Sequence, residues 1–110
     1  MVAVASLLPE NPEDEASVLA VLREHPEART FIQQASEKAQ ELFPGVRISL
    51  DAVQWEEWDP PVRLVLLIPG TWESYERGMA AFVTWLGGRP LEDMETVALL
   101  PLWQDPHARA

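Results

Sequence analysis

The chain contains no cysteine. This excludes a disulfide framework, a zinc–thiolate site and a thiol nucleophile. Histidine is nearly as scarce, with only His25 and His107. No Gly-x-Ser-x-Gly elbow accompanies them, so neither has an obvious nucleophile to activate. Both read as structural, His25 at a helix break before Pro26 and His107 in the tail. Glycine is sparse too, at five residues. The Gly87-Gly88 pair follows a helical stretch, whereas anion-binding glycine loops precede one. No run approaches the roughly 20 apolar residues of a membrane helix. Met1–Pro9 lacks the basic n-region and the apolar length of a secretory signal. A cytoplasmic protein is the expectation.

Positive charge is the other shortage. Eight Lys and Arg face 18 Asp and Glu, a formal charge of −10. The basic residues are scattered, so direct nucleic-acid binding, which rests on Lys and Arg neutralising phosphates, is disfavoured. Anionic membrane surfaces are disfavoured for the same reason. A surface of this sign attracts a basic protein partner. The single lysine and ten prolines fit a GC-rich or thermophilic source. The remainder is globular: 47% of the 110 residues are hydrophobic and 24% charged, enough for one small core but not two. A single domain over residues 1–110 is expected, with residues 1–9 and 105–110 as loosely ordered ends.

The element signals are clear. Asn11-Pro12-Glu13-Asp14-Glu15 combines an N-cap, a proline for the first helical position and acids that suit the helix dipole. It predicts a helix to about Glu24 that buries Val18, Leu19 and Leu22. Pro26 opens a second helix, in which Phe31, Ile32, Ala35, Ala39, Leu42 and Phe43 recur at helical spacing. Pro44-Gly45 stops it. The period then changes to two in Val46–Ala52, and Val62–Ile68 follows as a nearly all-apolar run. The pair predicts an antiparallel hairpin, its second strand covered on both faces or lying in an interface. Pro69-Gly70-Thr71 begins a third helix, with Trp72, Tyr75, Met79, Phe82, Val83 and Leu86 on its inner face and Gly78 packed close to the sheet. Gly87-Gly88 and Pro90 end it. Thr96–Leu100 predicts a further C-terminal strand, with Trp103 pinning the last segment. The expected fold is α+β, of order α-α-β-β-α with that further strand, its helices on one face of a small antiparallel sheet. A homodimer that extends the sheet would satisfy the open edges.

Within this frame the most conspicuous segment is Trp55-Glu56-Glu57-Trp58-Asp59. Two indoles among three carboxylates can cradle a cation, anchor a protein interface or simply cap the core. Glu56, Glu57 and Asp59, with Asp51, can also be read as metal ligands or an acid/base pair. Their spacing matches no known arrangement, so no metal, cofactor or catalytic residue is assigned. Trp85 falls beside the inner stripe of the third helix and is a candidate dimer surface.

The layout of Val46–Ile68 as a hairpin, followed by a helix from Glu73 to Thr84-Trp85-Leu86, resembles small uncharacterised helix–hairpin–helix (αββα) prokaryotic proteins found near toxin–antitoxin-type loci. The likeness covers about a third of the chain. Phe82 is out of register with the family's aromatic, and the N-terminal helix and C-terminal run have no counterpart there. The resemblance implies a small partner-binding module and no catalytic residue. The expected function is a non-enzymatic interaction or regulatory domain. The alternative is a small-ligand binder, or a minor enzyme with a pocket between helix and sheet using Asp51, Glu56 or His25.

Overall fold

The computed structural model describes residues 4–52, 60–90 and 93–105. Helix α1 (Pro12–Glu24) starts where the sequence places it. The Asn11 side chain accepts from the backbone N–H groups of Glu13 and Asp14, and Pro12 occupies the first turn. A cap of this kind contributes about 1 kcal/mol. His25 separates α1 from α2 (Pro26–Leu42). Strands β1 (Arg47–Asp51) and β2 (Val62–Ile68) follow, then helix α3 (Trp72–Gly87), a single turn α4 (Asp93–Thr96) and β3 (Val97–Trp103).

The result is the expected α+β fold. β1 and β2 pair antiparallel, with Arg47 opposite Leu67 and Asp51 opposite Arg63. β3 joins the other side of β2 in parallel, Val62 opposite Val97 and Ile68 opposite Trp103. The three-stranded sheet, in order β1-β2-β3, is therefore mixed where an antiparallel one was expected. The connection from Ile68 to Val97 passes through α3, and a helical crossover of that length returns the chain to the same end of the sheet.

Burial alternates strictly along β2. Val62, Leu64, Leu66 and Ile68 are buried; Arg63, Val65 and Leu67 are half-buried. With period two, all four buried residues share one face, and the helices lie against it. Phe31, Ile32 and Ala35 from α2, Val18 and Leu22 from α1, and Phe82 from α3 fill the space above Leu50, Leu64 and Leu66. The apolar run of β2 is thus covered on one face only, and its length reflects its place at the centre of the sheet. Residues 1–9 were expected to be loose, yet Val4–Leu7 forms a 3-10 turn whose Val4 and Leu7 enter the core.

Gly78 also differs from expectation. A Cβ at this position would stand 2.4 Å from Cε1 of Phe43 and 3.1 Å from the Leu42 carbonyl oxygen. The close approach is therefore to the end of α2, not to the sheet. Phe43 is itself 2% exposed and packs edge-on to Phe82, so its ring has little room to yield. In the inner stripe of α3, Phe82 is buried and Tyr75, Met79 and Leu86 are partly buried against the core. Trp72 and Val83, placed in that stripe by periodicity, are 48% and 57% exposed. Trp72 lies in the first turn, at the rim of the sheet, and Val83 lies on the flank that turns away from it.

Candidate functional site

The three strands have a face that no described helix covers. Side chains paired across a ladder point to the same side, so Arg63, Val65 and Leu67 of β2 share this face with Ala98, Leu100 and Leu102 of β3. Arg47, Ser49 and Asp51 of β1 complete it. Its β3 half is apolar, and Leu102 is 42% exposed. Its β1 half is polar. There the Arg63 guanidinium grips the Asp51 carboxylate with two bonds, Nε to Oδ1 at 2.6 Å and an Nη to Oδ2 at 2.7 Å. The two side chains are 25% and 27% exposed. This hydrogen bonding raises the Arg63 pKa above its ordinary value, with a smaller opposing contribution from burial. Asp51 is thereby committed to the sheet's open face, whereas His25 lies in the helical layer with Nδ1 3.3 Å from a Glu27 oxygen. These two residues, read as belonging to a pocket between helix and sheet, thus stand on different layers of the fold.

At one end of the sheet stands an aromatic cluster. β2 and β3 run parallel and finish side by side at Ile68 and Trp103. Gly70 turns the chain toward α3 with φ +110°, a left-handed conformation that glycine adopts without penalty. Its carbonyl accepts from the Trp103 indole N–H at 3.0 Å, so Trp103 ties the last strand to the start of α3. Thr71 then caps α3 by accepting from the Ser74 N–H. The first turn sets Trp72 edge-on to Trp103, with centroids 5.0 Å apart, and stacked on Tyr75 at 5.3 Å. Tyr75 in turn tilts against Phe43 at 6.5 Å. The cluster thus grades from a buried phenylalanine to a half-exposed tryptophan. Aromatic pairs of this geometry contribute about 0.5–1.5 kcal/mol each beyond their burial, so the exposed ring is held in one place.

Trp85 is placed differently. It stacks on Phe82 at 5.7 Å and on Phe31 at 6.4 Å, and the Arg89 guanidinium lies 5.3 Å from its ring centre. It is partly buried against the core, closing the end of the helical layer under a cationic lid. Trp55, Glu56, Glu57, Trp58 and Asp59 lie outside the described residues, as does His107. Among the described residues no group of three or more His, Asp or Glu could hold a metal ion, and no helix is long and apolar enough to cross a membrane.

Sequence reasoning missed the Trp72–Tyr75–Trp103 cluster because Trp103 is 31 positions from Trp72 and only the parallel placement of β3 unites them. The signal that was available is the helical spacing of Trp72 and Tyr75 immediately after a cap. Compared with protein-family models, curated proteins and solved structures, the chain matches none.

Proposed function

We propose that this chain is a non-enzymatic protein-interaction module whose contact surface is the Trp72–Tyr75–Trp103 cluster. The observation that carries the proposal is Trp72, a tryptophan 48% exposed yet fixed by two ring contacts. Leaving a large rigid aromatic in water forgoes the stabilisation of burying it, and such residues dominate the energetics of protein interfaces. Glu73 follows Trp72 directly, and Glu76 stands one turn further along the same helix. An indole face beside carboxylates favours an Arg or Lys side chain, so the partner is a basic segment of another protein. The resemblance to αββα proteins points to the same class of role. Trp55 and Trp58, with their flanking acids, belong to the proposal as a second contact.

The test is capture of partners from lysate of the parent cell with wild type, Trp72→Ala and Trp55→Ala/Trp58→Ala. Trp72→Ala is expected to stay folded by circular dichroism and to lose most of the captured protein, with the remainder eluting at lower salt. Recovery of the same proteins in the same amounts by wild type and Trp72→Ala would overturn the proposal.

A further inference from the structure

We infer that the open face of the sheet is the self-association surface of this protein, and that its occupant is the same face of a second copy. The inference rests on the sheet and not on the aromatic cluster. Helices α1, α2 and α3 carry nine Asp or Glu against four Arg or Lys. The three strands carry a single acid, Asp51, against Arg47 and Arg63, and that acid is gripped by Arg63. Among these strands and helices negative charge is therefore concentrated in the helical layer, and the open face of the sheet carries only Asp51 with Arg47 and Arg63. Two copies meeting through their helices would oppose carboxylates to carboxylates. Two copies meeting sheet to sheet place both acidic layers on the outside and desolvate Val65, Leu67, Leu100 and Leu102 against one another. Sheets stacked in this way sit about 10 Å apart with side chains interdigitated.

The alternative of edge-to-edge pairing is obstructed on β3. Gln104 donates its backbone N–H to the Ile68 carbonyl, so even-numbered residues of this segment point their backbone groups toward β2. Odd-numbered residues, Pro101 among them, point theirs to the outer edge. Proline has no N–H to offer there, which removes a donor from the middle of the edge and blunts it. The position is one of the few at which proline costs the sheet nothing, and it steers association from the edge to the face.

The size of the face sets the strength. Strands of five, seven and seven residues give a footprint of roughly 300 Å² per copy, well under the roughly 800 Å² per partner of a standard interface. The dimer is accordingly reversible and dissociates on dilution.

The test is sedimentation or light scattering of the full chain over a dilution series at two salt concentrations. Wild type is expected to shift from monomer to dimer with concentration. Added salt should leave the shift in place or strengthen it, because screening relieves repulsion between two copies of charge −10. Leu102→Glu, at a site already 42% exposed, should raise the dissociation constant at least tenfold with unchanged circular dichroism, and Val65→Ser should act in the same direction by less. Val83→Glu, at a site more exposed than Leu102 but on a helix, should leave dimerisation unchanged. Pro101→Val, which restores an edge donor, should not strengthen it. A wild type that stays monomeric throughout, or a dimer that survives Leu102→Glu and Val65→Ser, would overturn the inference. Trp72→Ala should leave the dimer intact, so this inference and the proposed contact surface can fail separately.

Discussion

On one face of β2, Val62, Leu64, Leu66 and Ile68 lie sealed beneath the helices; on the other, Arg63, Val65 and Leu67 are left half-buried. The two sets share one backbone and, but for Arg63, one kind of residue. What separates them is the second layer: Phe31, Ile32 and Phe82 stand over the first set and no described helix stands over the second. Hydrophobicity alone therefore marks β2 as a central strand without saying how many of its faces the chain itself covers. The surplus on the open face is what a partner would use, and it is continuous with Leu100 and Leu102 of β3.

Substitutions matched across the two faces would break or sharpen this contrast. The largest effect is expected for Leu64→Ala, which removes a side chain with 0% exposure from beneath the helices. It should lower unfolding stability by about 2–5 kcal/mol. Leu67→Ala, three positions along on the open face, should cost about 1 kcal/mol or less. Urea unfolding should show the midpoint falling far more in the first than in the second with similar slopes; equal losses would mean that the open face is covered in solution. Gly78→Ala comes next. Helix propensity favours alanine by up to about 1 kcal/mol, but the new methyl would meet the buried Phe43 ring at 2.4 Å, and overpacking of that order costs about 1–3 kcal/mol. A net loss in thermal stability is expected, and a gain would show that Phe43 moves aside.

The smallest effect belongs to the ion pair. Arg63→Gln should cost no more than about 1 kcal/mol, since both partners are partly solvated and the pairing is bidentate. The sign of its pH dependence follows from the raised Arg63 pKa. The stabilisation from that shift is complete below the ordinary arginine value and is lost only as pH rises through the higher folded value. The difference in stability between wild type and Arg63→Gln should accordingly stay flat from pH 6 to pH 9 in matched denaturation curves, and a slope across that range would contradict the assignment.

Much of this arrangement is legible in the residues. Asn11-Pro12 fixes the start of α1, Pro44-Gly45 the stop of α2 and Pro69-Gly70-Thr71 the turn into α3, because each is a local chemical requirement of the backbone. The alternation in β1 and the apolar length of β2 announce a hairpin. The direction of β3 is not legible in Val97–Trp103 itself: a run of apolar residues pairs equally well either way, and only the length of the α3 crossover favours the parallel choice. The exposure of Trp72 escapes periodicity because helical spacing states which residues share a stripe, not where the sheet beneath it ends. Gly78 shows the same limit. Its spacing marks a close contact, but that the contact is Phe43 depends on how α2 and α3 pack. Trp85, read as a candidate dimer surface, is partly buried at a core edge with Phe31 and Arg89, contacts that its place beside the stripe does not specify.

The parallel pairing of β2 with β3 also has a consequence for the order of assembly. The hairpin closes with Asp51 against Arg63, 12 positions apart, while the first pair on the other side joins Val62 to Val97 across 35. The entropy of closing the longer loop exceeds that of the shorter by about 1 kcal/mol, and nothing in β3 is rewarded until α3 has returned it to the sheet. Strand β3 is thus expected to dock after β1 and β2 have paired, and to be the first strand to detach. Its amides should exchange with deuterium ahead of those of β2, and for as long as β3 is away the central strand presents an unprotected edge that no proline guards.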